Sequence, residues 1–312
     1  MHGKRQKNAM KTLIVITGPT GVGKTAAAIA VAQRLDCEIV NADSRQVYRD
    51  IPIGTAAPTA SELAQVPHHL VGFKSLDEPY SASQFEHDVL ELLPQLWQRS
   101  DYAVMCGGSM MYVDAVCNGI DDLPDIAPHL REAVLEQYRL QGLESVLADL
   151  ERLDPDYYKQ VDKKNPRRVI HAVEICRQAG VPYSSLRKGE KKKRPFHIVK
   201  LALNTERPAL FDRINRRVDA MMEAGLLDEA RRVYPLRHLN ALNTVGYKEL
   251  FAHFDGLMPL DVARERIKKN TRVYAKKQLT WLARDPDVTW CRPGELLEIL
   301  NDEFLDSKSD WN

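Results

Sequence analysis

Thr12-Leu-Ile-Val-Ile-Thr17-Gly18-Pro-Thr-Gly-Val-Gly23-Lys24-Thr25 is the stretch that decides the fold. Thr12 to Thr17 is rich in β-branched residues, which indicates a buried strand. Gly18 to Thr25 matches G-x-x-x-x-G-K-[ST] in full, and Ala26 to Leu35 is expected to be helical. A strand, a glycine loop and a helix N-terminus in this order direct backbone N–H groups into one concavity that holds an anion. The stretch therefore predicts binding of a diphosphate or triphosphate, against the alternative of a glycine-rich turn with a chance lysine.

Residues 18–25 are called the glycine loop below. Lys24 is expected to place its charge on the outer phosphate, and the Thr25 hydroxyl is expected to ligate Mg²⁺. The predicted diphosphate-binding residues are Gly18, Pro19, Thr20, Gly21, Val22, Gly23, Lys24 and Thr25.

The composition is that of a soluble globular protein. The 312 residues are 44% hydrophobic and 28% charged, enough for one large domain and a smaller one. No apolar run approaches the roughly 20 residues of a membrane span, so no membrane partner is expected. The five cysteines are scattered without a C-x-x-C pair, which argues against a metal site or disulfide framework and favours the cytoplasm. Residues 1–11 are basic without a signal-peptide pattern, and we expect a disordered extension there.

Charge is segregated along the chain although the net charge is only +1. Residues 114–156 carry eleven acids and three bases, whereas residues 187–194 carry six bases and one acid. Residues 264–284 carry eight bases and one acid. Two concentrated basic stretches are consistent with a polyanion partner, and equally with solvated helix faces and a loop.

A carboxylate follows the second expected strand. Glu38 to Ala42 is expected to be that strand, and Asp43-Ser44-Arg45-Gln46 comes directly after it. The carboxyl end of a strand one βα unit after a glycine loop is the usual position of a site in such a sheet. On position alone, a helix N-cap explains Asp43 slightly better. Ile53 to Pro58 is expected to be a loop.

A second strand–glycine–helix junction follows. His69 to Phe73 and Tyr102 to Cys106 are expected to be strands, and Ser81 to Arg99 has helical spacing. Gly107-Gly108-Ser109 follows Cys106 and leads into a helix from Met110, which brings more backbone N–H groups to the same edge of the sheet.

The pattern changes in residues 121–194, where strand signals are absent. We expect a helical insertion domain there, within a P-loop NTPase-like α/β core of residues 12–120 and 195–312 whose parallel sheet is flanked by helices. Helices are expected at His129–Gln141, Leu143–Leu153 and Asn165–Gln178.

The last third of the chain is basic and helical. Phe196 to Leu203 is expected to return to the sheet, and the next helix carries Arg213, Arg216 and Arg217. Arginines at i and i+4 share a face and can converge on one phosphate. A long helix from Leu260 to Ala283 interleaves bases with aromatic residues, a pattern typical of nucleic-acid binding.

Seven motifs together resemble the bacterial tRNA dimethylallyltransferases (tRNA isopentenyltransferases). The resemblance runs from about Thr12 to Arg284, and the second and last motifs are more specific than the glycine loop, which many kinases share. The motifs are Gly-Pro-Thr-Gly-Val-Gly-Lys-Thr (18–25), Asp-Ser-Arg-Gln-Val-Tyr (43–48), Ile-Gly-Thr-Ala-x-Pro (53–58), Gly-Gly-Ser-Met-Met-Tyr (107–112), Asn-Pro-Arg-Arg (165–168), Val-Gly-Tyr-Lys (245–248) and Lys-Lys-Gln-Leu-Thr-Trp-Leu (276–282).

The resemblance implies transfer of a dimethylallyl group from its diphosphate to the N6 amine of the adenosine just 3′ of a tRNA anticodon. It implies that Asp43 is the general base, that Thr25 contacts Mg²⁺ or the diphosphate, and that Lys24 and Arg217 hold the leaving group. The implied partners are tRNA and dimethylallyl diphosphate, and we expect a monomer.

The resemblance also implies a set of tRNA-contacting residues. The family usually has Thr where this chain has Ser109, and Ser keeps the hydroxyl but loses the methyl group. The implied residues are Asp43, Ser44, Arg45, Gln46, Ser109, Arg131, Arg167, Arg168, Val169, Ile170, His171, Asn243, Thr244, Val245, Gly246, Tyr247 and Lys248.

Three other functions remain open at this stage. A small-molecule kinase of the same fold class would use ATP on the glycine loop, and an NTP-switched RNA-binding protein would not need Asp43. An adenylate isopentenyltransferase would prenylate free AMP or ADP. The basic helix and residues 121–194 argue against this last alternative.

Overall fold

The computed structural model describes residues 10–304, and its centre is a six-stranded parallel sheet. The strand order is β3-β2-β4-β1-β5-β6, so the strand before the glycine loop lies between β4 and β5. The α/β class expected from the sequence is confirmed. The strands are β1 (Thr12–Thr17), β2 (Ile39–Asn41), β3 (His68–His69), β4 (Tyr102–Cys106), β5 (His197–Leu203) and β6 (Val288–Cys291).

Both faces of the sheet are buried. Leu13 and Val15 pack into an apolar cluster on one face, whereas Ile14 and Ile16 pack into a second cluster on the other. Alternate residues of a strand point to opposite faces, so a strand covered on both sides must be apolar throughout. All six residues of β1 are buried for this reason.

The helices of the core lie before and after the insertion. Ser81 begins α4 with a capping box, because its hydroxyl accepts from the Gln84 N–H and the Gln84 side chain accepts from the Ser81 N–H. The helices are α1 (Lys24–Arg34), α2 (Pro52–Thr55), α3 (Ala60–Leu63), α4 (Ala82–Leu96), α5 (Met110–Asn118), α10 (Arg207–Glu223), α11 (Leu226–Val233), α12 (Tyr247–Phe254), α13 (Leu260–Leu282) and α14 (Leu296–Phe304).

The structure departs from the sequence-based expectations in three places. Residues 53–58 were expected to be a loop, but Pro52–Thr55 is a short helix. The strand expected over 69–73 is only His68–His69, because Leu70 and Gly72 adopt positive φ angles of 60° and 57°. Strand β6 was not expected.

Residues Asn118–Lys193 form a separate compact unit with its own apolar cluster. The sequence placed this insertion at 121–194. Gly142 (φ 77°) breaks the helical geometry within α6, at the point where two helices were expected to meet. The insertion helices are α6 (Pro128–Leu153), α7 (Pro155–Gln160), α8 (Pro166–Ala179) and α9 (Tyr183–Leu186).

The expected N-terminal extension ends earlier than residue 11. The Lys11 ammonium donates to the Trp97 carbonyl and to Asp101, each at 2.7 Å, so Lys11 belongs to the core. Residues 1–9 lie outside the described residues. Among the helices of residues 10–304, none is long and apolar enough to cross a bilayer.

Candidate active site

The glycine loop joins β1 to α1. Gly18 has a φ of 137° and lies so close to β5 that a Cβ atom would sit 2.5 Å from the Leu203 carbonyl oxygen. Only glycine fits this position. Gly23 precedes Lys24, the first residue of α1, with a φ of 103°, so the loop ends at a helix N-terminus as expected.

Two N–H groups of the glycine loop bond within the protein. The Thr20 N–H donates to the Gln278 side chain at 2.8 Å, and the Val22 N–H donates to the Pro19 carbonyl at 3.3 Å. The expectation that successive N–H groups of the loop share one concavity is therefore wrong for these two residues. Gly21, Gly23, Lys24 and Thr25 line the adjoining cavity, whereas Val22 is fully buried.

Lys24 is half-buried beneath the loop. Its ammonium donates to the carbonyl oxygens of Gly18 and Pro19, each at 3.0 Å. Burial lowers the pKa of Lys24 to about 8, and the nearby Arg217 also lowers it, whereas Asp43 acts in the opposite direction. A bound anion would raise this pKa again, because an opposite charge nearby favours the ammonium form.

Two arginines of α10 reach the glycine loop. Arg217 donates to the Thr20 hydroxyl, and Arg213 donates to the Val22 carbonyl at 3.0 Å. Arg216 instead pairs with Asp212 at the surface. Arg213 and Arg217 are four residues apart and share a helix face, but only Arg217 lines the cavity beside the loop, so their convergence on one phosphate stays a prediction. Burial lowers the pKa of Arg217, and its Nε is buried without a hydrogen-bond partner in the described part of the chain.

Asp43 lies at the carboxyl end of β2. Its Oδ1 accepts from the Arg45 N–H at 2.9 Å and from the Gln46 N–H at 3.4 Å. The side chain therefore caps a turn, not a helix, and only one oxygen makes these bonds. The helix N-cap interpretation is therefore wrong, and a carboxylate that caps a turn can keep its second oxygen for chemistry.

Two cavities meet at Asp43. The first, about 260 Å³, extends from the glycine loop to residues of β2, β3 and α2. The second, about 330 Å³, extends to the segment before α12 and to α13. The residues that line both are Thr20, Asp43, Thr55 and Arg217. The Asp43 carboxylate and the Arg217 guanidinium thus lie between the two cavities. The first cavity is beside the N-terminus of α1, and the second is beside the basic helix α13.

Residues 243–248 supply part of the second cavity. Asn243, Thr244, Val245 and Lys248 line it directly. Tyr247 does not, because it is fully buried and its hydroxyl donates to Glu229 at 2.6 Å. Its side chain therefore supports the cavity and cannot contact RNA itself.

Ser109 and its neighbours hold the turn after Asp43. The Ser109 side chain is buried, and its hydroxyl accepts from the Ser44 N–H at 2.8 Å. Ser109 also lines the second cavity, so its expected contact with RNA stays a prediction. Arg45 donates to the carbonyls of residues 240 and 241, and Gln46 donates to those of residues 55 and 56.

Sequence reasoning missed three buried polar side chains that shape the site. Glu229 accepts from the N–H groups of Ile53 and Gly54, each at 2.8 Å. Glu249 accepts from the Gly246 N–H at 2.8 Å, and Gln278 joins two loops. Only Gln278 lies in a recognised motif, and none of the three carries a sequence signal that identifies its partners.

A family model described as IPP transferase matches residues 46–285, which is most of the chain. The chain belongs to the IPP transferase family. Its relatives include a protein named tRNA dimethylallyltransferase 2 from Parabacteroides distasonis, 56% identical over 92% of this chain and 96% of that protein. A tRNA dimethylallyltransferase 1 from Bacteroides thetaiotaomicron is 54% identical over 95% of this chain and 96% of that protein.

Solved structures agree with this IPP transferase assignment. The tRNA isopentenylpyrophosphate transferase of Bacillus halodurans is 36% identical, with a TM-score of 0.69 over 96% of this chain and 98% of that chain. A eukaryotic dimethylallyltransferase acting on tRNA is 27% identical, with a TM-score of 0.78 over 96% of this chain and 77% of that chain.

The insertion of this IPP transferase family member carries the remaining residues expected to contact tRNA. Arg131 and His171 both approach the buried Glu174, at 3.6 and 3.8 Å. Arg167 and Arg168 are exposed at the start of α8. Val169 and Ile170 are buried within the apolar cluster of the insertion, so their side chains cannot contact RNA.

Some of the basic residues that were expected to form a surface for RNA instead form ion pairs within the protein. Arg194 is buried and contacts Glu86 at 2.5 Å, and it also donates to two carbonyls of α5. Lys268 contacts Asp219 at 2.8 Å. Lys188, Lys193 and Lys277 are exposed. The exposed bases, not the full basic stretches, are therefore available to a polyanion.

Proposed function

We propose that this protein is a tRNA dimethylallyltransferase, a prenyltransferase that moves a dimethylallyl group from its diphosphate to the N6 amine of the adenosine 3′ of the anticodon. The observation that carries the proposal is Asp43, whose carboxylate lies where two cavities meet. The names and structures of its relatives agree with this function.

The donor belongs in the first cavity. A diphosphate there would lie beside the N-terminus of α1, with Lys24 and Arg217 as its cationic partners. Mg²⁺ is part of the proposal, with Thr25 as its protein ligand. A hydroxyl oxygen is a hard ligand of the kind that Mg²⁺ takes beside water and phosphate oxygens. When bound, the ion would neutralise diphosphate charge.

The acceptor belongs in the second cavity. Lys248, Thr271 and Tyr274 line it, which combines a cation, a hydroxyl and an aromatic ring. An adenosine could reach this space only after leaving the anticodon-loop stack, which implies a flipped nucleotide. The exposed bases of α13 and the insertion are proposed to contact the tRNA backbone.

The chemistry needs charge control at one point. The amine nitrogen forms a bond to the allylic carbon while the carbon–oxygen bond to diphosphate breaks, and the diphosphate leaves with the electron pair. Lys24 and Arg217 stabilise the negative charge that develops there. The Asp43 carboxylate accepts the proton from the amine, a contribution of about 10²–10⁴-fold in rate.

The test is mass spectrometry of nucleosides from tRNA incubated with the protein, dimethylallyl diphosphate and Mg²⁺. Asp43→Asn keeps an oxygen for the Arg45 and Gln46 N–H groups but cannot accept a proton at neutral pH. Asp43→Ala loses both functions. We expect transfer to fall by orders of magnitude in both variants, and only Asp43→Ala to lose about 1 kcal/mol of stability as a lost cap. Unchanged single-turnover transfer in a folded Asp43→Asn would remove Asp43 from the mechanism.

Two other activities are outcomes of the same experiment. ATP turnover without RNA would favour a small-molecule kinase, and prenylation of free AMP or ADP would favour an adenylate isopentenyltransferase. The exposed Arg167 and Arg168 in the insertion favour tRNA over both. The proposal includes a cytoplasmic enzyme that is a monomer. Sedimentation of the protein with and without tRNA would check the monomeric state.

A further inference from the structure

Gln278 stands apart from the other residues of the basic helix α13. Lys276 and Lys277 are exposed, whereas Gln278 is only 2% exposed. A buried amide needs hydrogen-bond partners, because an unpaired polar group inside a protein costs free energy. Gln278 therefore faces the interior of the core, while its neighbours remain available to RNA.

Both ends of the Gln278 amide are bonded to backbone near the glycine loop. Its Oε1 accepts from the Thr20 N–H at 2.8 Å, and its Nε2 donates to the Gly108 carbonyl at 2.8 Å. Thr20 follows β1 and Gly108 follows β4, and these two strands are neighbours in the sheet. One side chain thus ties together two loops at the same edge of the sheet.

The Gln278 amide is closely packed against Gly108, and its partner Thr20 has a second hydrogen bond. A Cβ atom at Gly108 would lie 2.4 Å from the Gln278 Nε2, so any larger residue there would displace the amide. Thr20 is also held from its other side, because its hydroxyl accepts a hydrogen bond from Arg217. The position of Thr20 is therefore fixed by its backbone and its side chain at once.

We propose that Gln278 is a positioning residue. It holds Thr20 in place, and Thr20 in turn holds the Arg217 guanidinium where it can bind the leaving diphosphate together with Lys24. The inference rests on the proposed function. Gln278 acts through Thr20 and does not contact RNA. Because a misplacement of about 1 Å can cost about 10²-fold in rate, loss of this tie should appear mainly in the chemical step.

Gln278→Leu tests the inference, because leucine is apolar, of similar size and cannot form either bond. We expect kcat for transfer to fall by about 10²-fold and inhibition by inorganic diphosphate to weaken. Binding of tRNA should match that of the parent. Gln278→Glu keeps an acceptor for Thr20 but places an oxygen against the Gly108 carbonyl, and it should fall between parent and Gln278→Leu. Gln95→Leu, at an exposed helical glutamine, is the matched control and should behave as the parent.

Each outcome decides the inference. Unchanged kcat and diphosphate inhibition in a folded Gln278→Leu would overturn it, as would a defect confined to tRNA binding, which would make Gln278 an RNA contact. If Gln278→Leu does not fold, Gln278→Glu carries the test with the same two measurements. If the parent transfers no dimethylallyl group, the proposed function fails, and calorimetry of diphosphate binding to parent and variant still tests the role of Gln278.

Discussion

Glu229→Gln should destabilise the wall of the second cavity. The two Glu229 oxygens accept three hydrogen bonds, from the Ile53 and Gly54 N–H groups and from the Tyr247 hydroxyl. The side chain is 2% exposed, so water cannot replace a missing partner. A glutamine offers one oxygen, and its NH₂ group would face at least one donor in either orientation.

The magnitude follows from these contacts. Loss of one hydrogen bond to a charged group costs about 1.5–3 kcal/mol. At about 2–4 °C per kcal/mol, we expect the melting temperature to fall by about 3–12 °C. The KM for tRNA should rise, because Gly54 and Thr55 line the cavity proposed for the acceptor.

Asp228→Asn is the matched control. Asp228 is exposed and lies beside Glu229 in the first turn of α11, so both variants lose one negative charge near the same helix N-terminus. That shared loss accounts for about 0.3–1 kcal/mol. Thermal unfolding followed by circular dichroism would compare the two variants. Equal melting temperatures for Glu229→Gln and Asp228→Asn would refute the assignment of stability to the three buried hydrogen bonds.

Four further predictions concern charge. Lys24→Ala should weaken binding of dimethylallyl diphosphate and slow transfer, and normal donor kinetics would contradict its assignment. In the parent, the KM for the donor should rise as the pH increases through about 8, because Lys24 loses its proton there, while the KM for tRNA measured in parallel stays flat. Arg194→Ala should lower stability by at least about 1.5–3 kcal/mol, because it removes the ion pair with Glu86 and two hydrogen bonds to carbonyls of α5. Lys188→Ala with Lys193→Ala should leave stability unchanged. That double variant should also weaken tRNA binding. The slope of log K for tRNA association against log salt should become shallower by about 0.7–0.9 for each phosphate that the protein no longer neutralises. An unchanged slope would exclude both lysines from the RNA surface.

The parts of the site that the sequence predicted are local in the chain. Strand β1, the glycine loop and α1 are consecutive, so spacing and residue type suffice to place Lys24 at a helix N-terminus. Asp43 was predictable as a residue at a strand end for the same reason. The convergence of Arg213 and Arg217 was predictable as a shared helix face, but not the loop that they contact.

The rest depends on contacts between distant residues. Gln278 and Thr20 are 258 positions apart, and no pattern within α13 distinguishes an interior glutamine from a solvated one. Strand β6 has only four residues, and its pairing with β5 decides its conformation more than its own composition does. The sequence assigned Arg194 to a basic surface, which is wrong. Its ion-pair partner, Glu86, is 108 positions earlier, so no local pattern indicates the burial of Arg194.

The position of β1 between β4 and β5 has a consequence for how the chain folds during synthesis. Thr12 pairs with Tyr102 on one side and with His197 on the other, so β1 lacks its second partner strand until β5 leaves the ribosome. Roughly 100 residues separate the ends of β4 and β5. Because synthesis adds about 5–20 residues per second, β1 waits about 5–20 s for β5. During that wait one edge of β1 has no partner strand, while the residues of the insertion are synthesised and can assemble their own apolar cluster. We expect nascent chains stalled within the insertion to be the species most prone to aggregation and most dependent on chaperones.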